Sequence, residues 1–100
     1  ITQMAFGRGG ADVDGNPIPP DANATELADE IYRKNIESHM FPSATSVTFI
    51  ATLTYEEANN EQLSEVALVD SAGNIVAIKT FKPKLKDNET EISFEWTEKF

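Results

Sequence analysis

The chain has 100 residues, enough for one domain with a modest core, and a formal net charge of −9. This charge argues against a general nucleic-acid binder and against contact with an anionic membrane surface, because phosphates would be repelled. The chain has no cysteine, which excludes a disulfide framework and a thiolate metal site. No apolar run approaches the roughly 20 residues of a membrane helix. Because the first residue is Ile1 rather than methionine, we expect a piece of a longer protein.

The first 20 residues predict a strand followed by a long loop. Residues 1–6 alternate weakly between two faces, and the glycine-rich stretch 7–10 ends that strand. Residues 11–20 contain three prolines, which keep them out of regular structure. Loops of this length are uncommon in compact domains and are often functional. The alternative is a connector pinned by its prolines.

The same loop resembles a calcium-binding loop at first sight. Asp12, Asp14 and Asn16 alternate along it, as acidic ligands do in an EF-hand. However, Gly15 stands at the fourth position counted from Asp12, whereas the EF-hand pattern requires glycine at the sixth. Asp and Asn also stabilise turns without any metal. We therefore predict no metal site, and we predict a strong turn that ends at Pro17.

A short helix is predicted near residues 23–33. Asn23 is a good N-cap, and Glu26 follows three residues later, as in a capping box. Ala24, Leu27, Ala28 and Ile31 have the spacing of one apolar helix face. From Tyr32 onward the chain could instead alternate as a strand, with Tyr32, Lys34, Ile36, Ser38 and Met40 on one side.

The remaining chain predicts strands. Residues 47–55 alternate apolar side chains with threonine, which favours a half-buried strand. Residues 62–81 read as a hairpin around the turn at residues 70–74, and we expect this hairpin in the middle of an antiparallel sheet. Residues 90–100 form a last strand with Ile92, Phe94, Trp96 and Phe100 on its apolar face. The predicted fold is mainly β, an antiparallel sandwich or open barrel of five to six strands with one short helix.

No reactive site is visible, so we predict no catalytic residue and no cofactor. His39 is the single histidine and lacks the partners of a nucleophilic or zinc site. The acidic residues are scattered, and no two of them stand out as a catalytic pair.

Four lysines form a basic stretch in this acidic chain. One reading is a sheet edge that lysines protect against unwanted strand pairing. The other is a docking patch for an acidic partner or a neighbouring subunit. The residues are Lys79, Lys82, Lys84 and Lys86.

Several stretches, taken in order, resemble the N-terminal module of phage tail-collar fibre proteins. Residues 1–10 and 14–20 resemble the opening of that family, and residues 25–34 are similar to the stretch that follows. Residues 64–78 look like its signature hairpin, and residues 81–84 fit the turn after it. Arg8 is a departure, since the family usually has an acidic residue there.

The resemblance implies a structural, non-enzymatic module that attaches a phage or prophage tail fibre to the tail baseplate. Its implied partners are a baseplate protein and other fibre subunits, with a homotrimer in the full fibre, and its implied location is the virion tail, assembled in the bacterial cytoplasm. We expect residues 1–100 to be the attachment module of a longer fibre. The contact surfaces we select are the lysine stretch and the loop residues Arg8, Asp12, Asp14, Asn16 and Pro17. The alternative is a small carbohydrate-binding sandwich that uses Tyr32, Tyr55 or Trp96 as a platform.

Overall fold

The computed structural model describes residues 1–99 and contains seven β-strands in two antiparallel sheets. The strands are β1 (Gln3–Gly7), β2 (Glu30–Asn35), β3 (Ser38–Ser43), β4 (Ser46–Leu53), β5 (Glu61–Val69), β6 (Ile75–Lys86) and β7 (Ile92–Lys99). The first sheet has the order β2-β1-β5-β6 and the second has the order β3-β4-β7. The predicted antiparallel β fold is confirmed, with seven strands instead of five or six. Within residues 1–99 there is no helix that could span a membrane.

The main core lies between the two sheets. The first sheet contributes Met4, Phe6 and Leu68, which are at most 1% exposed, and the second contributes Leu53 and Trp96. Alternate residues of a strand point to opposite faces, so each strand supplies one row of apolar side chains to this layer. Trp96 is 3% exposed, as its position on the apolar face predicts. Phe100, assigned to the same face, lies outside the described residues.

A second, smaller core covers the outer face of the first sheet. Ala5, Ala67 and Val69 point away from the main core, and Leu27 packs onto them from the segment between β1 and β2. β5 is therefore buried on both faces, which fits the uninterrupted apolar run of residues 66–69 in its second half.

The predicted helix is wrong. Residues 23–29 form turns, and from Glu30 the chain is strand β2, which pairs with β1. The backbone N–H groups of Ala28 and Asp29 donate to the carboxylate of Glu65, at 2.9 Å each. These long-range hydrogen bonds replace those that a helix would have formed, and they override a modest local preference. The alternative of a strand from Tyr32 is partly right, because the chain forms two strands there, β2 and β3, in different sheets.

The hairpin is confirmed as β5 and β6, but its predicted central position is wrong. β6 is an edge strand, and β4 and β7 pair with each other in the second sheet. Pro83 lies within β6 without difficulty, because a strand at a sheet edge can lose one ladder donor. The lysine stretch therefore lies along a free sheet edge.

Candidate partner-contact surface

The glycine-rich opening is held against β5 by a buried carboxylate. Glu65 is 2% exposed and accepts hydrogen bonds from the backbone N–H groups of Gly9 at 2.8 Å and of Ala28 and Asp29. The neighbouring Ser64 hydroxyl accepts from the Gly10 N–H at 2.8 Å. Two segments that are far apart in sequence are thereby fixed to one strand.

Close backbone approach explains the glycines at this point. A Cβ added at Gly10 would lie 2.2 Å from the Ser64 carbonyl oxygen, and one added at Gly7 would lie 2.5 Å from a Glu65 carboxylate oxygen. Neither position has room for a side chain. The sequence prediction treated the glycines as the end of a strand, and it missed Glu65 as their partner.

Arg8 emerges from this region and forms two ion pairs. Its Nε lies 2.6 Å from Asp29 Oδ2, and one of its terminal nitrogens lies 3.0 Å from Glu61 Oε2. The Arg8 side chain is 51% exposed, so each pair contributes little to stability. Because both of its visible partners belong to this chain, a new partner would have to compete for the guanidinium.

The proline-rich loop is built around Asp12. The Asp12 carboxylate accepts hydrogen bonds from the N–H groups of Asp14 at 2.9 Å and Asn16 at 3.0 Å. Gly15 has a φ of 81°, and its N–H donates to the Asp12 carbonyl oxygen. Asp12 therefore closes a turn through one of its carboxylate oxygens. No cluster of three or more metal-ligating side chains occurs among residues 1–99.

The turn between β5 and β6 repeats the turn at residues 12–16, with Asp, Gly and Asn at the corresponding positions. The Asp70 carboxylate accepts from the N–H groups of Ala72 and Asn74, and Gly73 has a φ of 87°. Asp12 and Asp70 thus each begin an Asp-x-x-Gly-Asn segment, and the two segments have the same hydrogen bonds. In both, glycine occupies the left-handed position that follows a type I turn.

The loop of residues 11–20 leaves large apolar side chains in solvent. Val13 is fully exposed, and Ile18 is 46% exposed although its N–H donates to the Gly10 carbonyl oxygen. Asp12, Asp14, Asn16 and Pro17 are exposed as well. The loop therefore presents a fixed backbone with accessible side chains, as a contact surface requires.

The lysine stretch divides into three exposed residues and one buried residue. Lys79, Lys82 and Lys84 are exposed on β6, whereas Lys86 is 0% exposed. The Lys86 ammonium donates to Asn59 Oδ1 at 2.9 Å and to the Asp87 carbonyl oxygen at 2.7 Å. Lys86 therefore does not belong to an exposed patch, contrary to its predicted role. Its hydrogen bonds instead connect the end of β6 to the loop before β5.

Beside the exposed lysines lies a groove between the edge strands β6 and β7. Its volume is about 250 Å³. Three aromatic rings line it, two of which, Phe81 and Phe94, lie at a centroid distance of 6.0 Å. The Lys79 Nζ lies 4.6 Å from the Trp96 ring centroid, and the Lys84 Nζ lies 5.9 Å from that of Phe81. The groove residues are Met4, Val66, Lys79, Thr80, Phe81, Lys84, Phe94, Glu95 and Trp96.

A second carboxylate, Glu57, connects the two sheets. It accepts hydrogen bonds from the Lys34 ammonium at 2.8 Å, from the Thr54 N–H at 2.9 Å and from the Tyr32 hydroxyl. Burial by itself raises the pKa of Glu57, but these hydrogen bonds outweigh it and lower the pKa to about 2. The hydrogen bond to Glu57 also raises the pKa of Tyr32. This network is structural, since its donors and acceptors satisfy one another.

The three candidate sugar platforms differ in exposure and in hydrogen bonding. Trp96 is buried and its indole N–H donates to Glu98, Tyr32 is held by Glu57, and Tyr55 is exposed in a loop. The burial of Trp96 counts against the carbohydrate alternative, which requires exposed rings. His39 is an exposed residue of β3, edge-on to the ring of Phe41.

The chain matches no protein-family model and no curated protein.

Proposed function

We propose that this domain is a structural, non-enzymatic attachment module of a phage or prophage tail fibre. In this role it joins the fibre to the tail baseplate in the virion, and its partners are a baseplate protein and the other fibre subunits. The proposal starts from the resemblance of the ordered segments to tail-collar fibre proteins.

One structural observation supports the proposal most directly. Three of the five segments that carry the resemblance form a single hydrogen-bonded unit on the first sheet, namely residues 1–10, 14–20 and 64–78. The glycine-rich opening is bonded to Ser64 and Glu65 of the hairpin, and the proline-rich loop is bonded to the opening through Ile18 and Gly10. Sequence similarity spread over separate segments is expected when those segments build one surface.

The exposed parts of this unit are suited to binding another protein. The proline-rich loop projects Val13 and Ile18, and the adjacent edge strand β6 projects Lys79 and Lys84. A protein that attaches one rigid component to another needs a fixed scaffold with accessible side chains, and it needs no reactive group.

The proposal is tested by locating the chain on virus-like particles. An antibody raised against the 100-residue chain is applied to tailed particles induced from the source bacterium, and gold labelling is viewed by electron microscopy. Label at the baseplate end of the fibres is the expected result. Expression of the chain without label on any purified particle, including particles opened to expose the baseplate, would contradict the proposal.

A competition experiment tests the surface itself. Purified chain, added during assembly of fibreless tails with full-length fibres, is expected to reduce fibre attachment. A variant with Val13→Asp and Ile18→Asp is expected to compete less, because it loses both exposed apolar side chains of the loop. Val76→Asp, an exposed valine outside the loop, is the matched control.

A further inference from the structure

The groove between β6 and β7 has the form of a peptide site. β6 is hydrogen-bonded to β5 on one side only, and within residues 1–99 no strand pairs with its other side. An extended segment can add to such an edge through main-chain hydrogen bonds, while adjacent pockets select its side chains. Here the adjacent groove offers Phe81 and Phe94, both partly exposed, above a floor of buried Trp96.

Lys79 and Lys84 of this groove lack the ion pairs that hold three other cations of the chain. Arg8, Arg33 and Lys34 form salt bridges with carboxylates of the same chain. Among residues 1–99, none of the salt bridges involves Lys79 or Lys84. In a chain of net charge −9, two exposed ammonium groups without a carboxylate partner favour an acidic ligand.

The positions of Lys79 and Lys84 favour a docking role over simple protection of the sheet edge. A lysine that protects an edge extends into solvent, where its charge discourages any strand. The ammonium groups of Lys79 and Lys84 instead lie over aromatic rings of the groove, at 4.6 Å and 5.9 Å. A carboxylate that enters the groove meets both cations next to an apolar surface, where charge pairing is less screened than in bulk water.

We propose that this groove binds an extended acidic segment of a partner protein, aligned along β6 with an aromatic or aliphatic side chain between Phe81 and Phe94. The acidic side chains of the segment pair with Lys79 and Lys84. Glu95, on the β7 side of the groove, repels acidic residues, so the segment places its carboxylates on the β6 side. This proposal specifies the kind of partner segment that binds the lysines of β6, and it therefore rests on the proposed function.

The experiment uses the 100-residue chain and a fluorescein-labelled peptide of about nine residues, the length of a long strand. The peptide alternates glutamate with valine and has phenylalanine at its centre. Control peptides replace every glutamate with glutamine or with lysine. Binding is followed by fluorescence polarisation, and the emission of Trp96, the single tryptophan, reports on the groove in a matched titration with unlabelled peptide.

The expected result is saturable binding of the glutamate peptide with a change in Trp96 emission. Lys79→Gln and Lys84→Gln are each expected to weaken binding by about fivefold to tenfold, the effect of losing one partly desolvated ion pair. Lys82→Gln, which removes the same charge from β6 outside the groove, is expected to change it by less than about twofold. Glu95→Gln is expected to strengthen it by about threefold, because a like charge is removed.

Three results would overturn the proposal. The first is equal affinity for the glutamate and glutamine peptides. The second is an equal loss in the Lys82 and Lys79 variants, which would indicate general charge attraction. The third is no binding up to about 1 mM, the limit of weak specific recognition. Because these titrations need no tail particle, they separate failure of the groove from failure of the attachment function, which gold labelling tests independently.

Discussion

Replacing Glu65 with glutamine tests whether one buried carboxylate holds the cover of the first sheet in place. Glu65 Oε2 accepts from Gly9 and Asp29, and Oε1 accepts from Ala28. Hydrogen bonds to a charged group contribute about 1.5–3 kcal/mol each, whereas neutral bonds contribute about 1 kcal/mol. In the best orientation of the amide, two bonds weaken and the third N–H faces an NH2 group. The expected loss is therefore about 3–4 kcal/mol, a large part of a total stability of about 5–15 kcal/mol.

The loss is measured by urea unfolding, with hydrogen exchange of the Gly9, Ala28 and Asp29 amides as a local readout. In the glutamine variant, exchange of these amides is expected to accelerate more than exchange of the β4 amides, because β4 lies in the other sheet. Glu61→Gln is the matched control, because Glu61 is in the same strand but forms only a half-exposed ion pair with Arg8. It is expected to cost less than about 1 kcal/mol. A Glu65 variant within about 0.5 kcal/mol of the parent would refute this account.

Three further predictions concern stability. Because the folded pKa of Glu57 is about 2, below its ordinary value of 4.5, its contribution of up to about 3 kcal/mol is present above pH 4.5 and is lost as the pH falls toward 2. When the free energy of unfolding is measured as a function of pH, Glu57→Gln should therefore lose less stability than the parent between pH 4.5 and pH 2. Glu56→Gln should lose as much as the parent. Trp96→Ala should cost about 3–5 kcal/mol by urea unfolding, and Phe41→Ala, at a 64% exposed site, less than about 0.5 kcal/mol; similar values for the two would contradict the core assignment. Gly73→Ala should lower stability by about 1–2 kcal/mol because of its φ of 87°, with a smaller loss in Gly73→Asn; equal thermal melting of both variants and the parent would argue against the turn geometry.

The strands could be predicted from the sequence because their signal is local. Apolar side chains alternate along residues 47–55 and 90–99, and the Asp-x-x-Gly-Asn segment supplies every group that its own turn requires. Strand order could not be predicted in the same way, since pairing of β1 with β5 depends on residues 58 to 66 positions apart. The hairpin was therefore placed at the centre of a sheet although β6 lies at an edge.

The prediction of a helix near residues 23–33 was also wrong because of long-range contacts. Ala24, Leu27 and Ala28 have helical spacing, but the N–H groups of residues 28 and 29 are bound by Glu65 from another strand. A glutamate inside an apolar strand was the available signal, because a buried charge requires partners. Likewise, Lys86 continues the lysine stretch in sequence. Only the structure shows that its ammonium group is buried. The matching Asp-x-x-Gly-Asn segments at Asp12 and Asp70 are readable from the sequence alone, because each turn is closed by its own residues.

The place of β1 in its sheet has a consequence for synthesis on the ribosome. β1 emerges first, yet it lies between β2 and β5, and β5 ends at residue 69. The nascent chain must therefore keep an apolar strand, with Met4 and Phe6, unpaired on one side until residues 61–69 have been made. The second sheet is completed later still, because β4 pairs with β7 at the far end of the described chain. Long-range pairing of this kind slows folding to milliseconds or longer. The period before β5 emerges is therefore when this apolar strand is most exposed to aggregation and to chaperones.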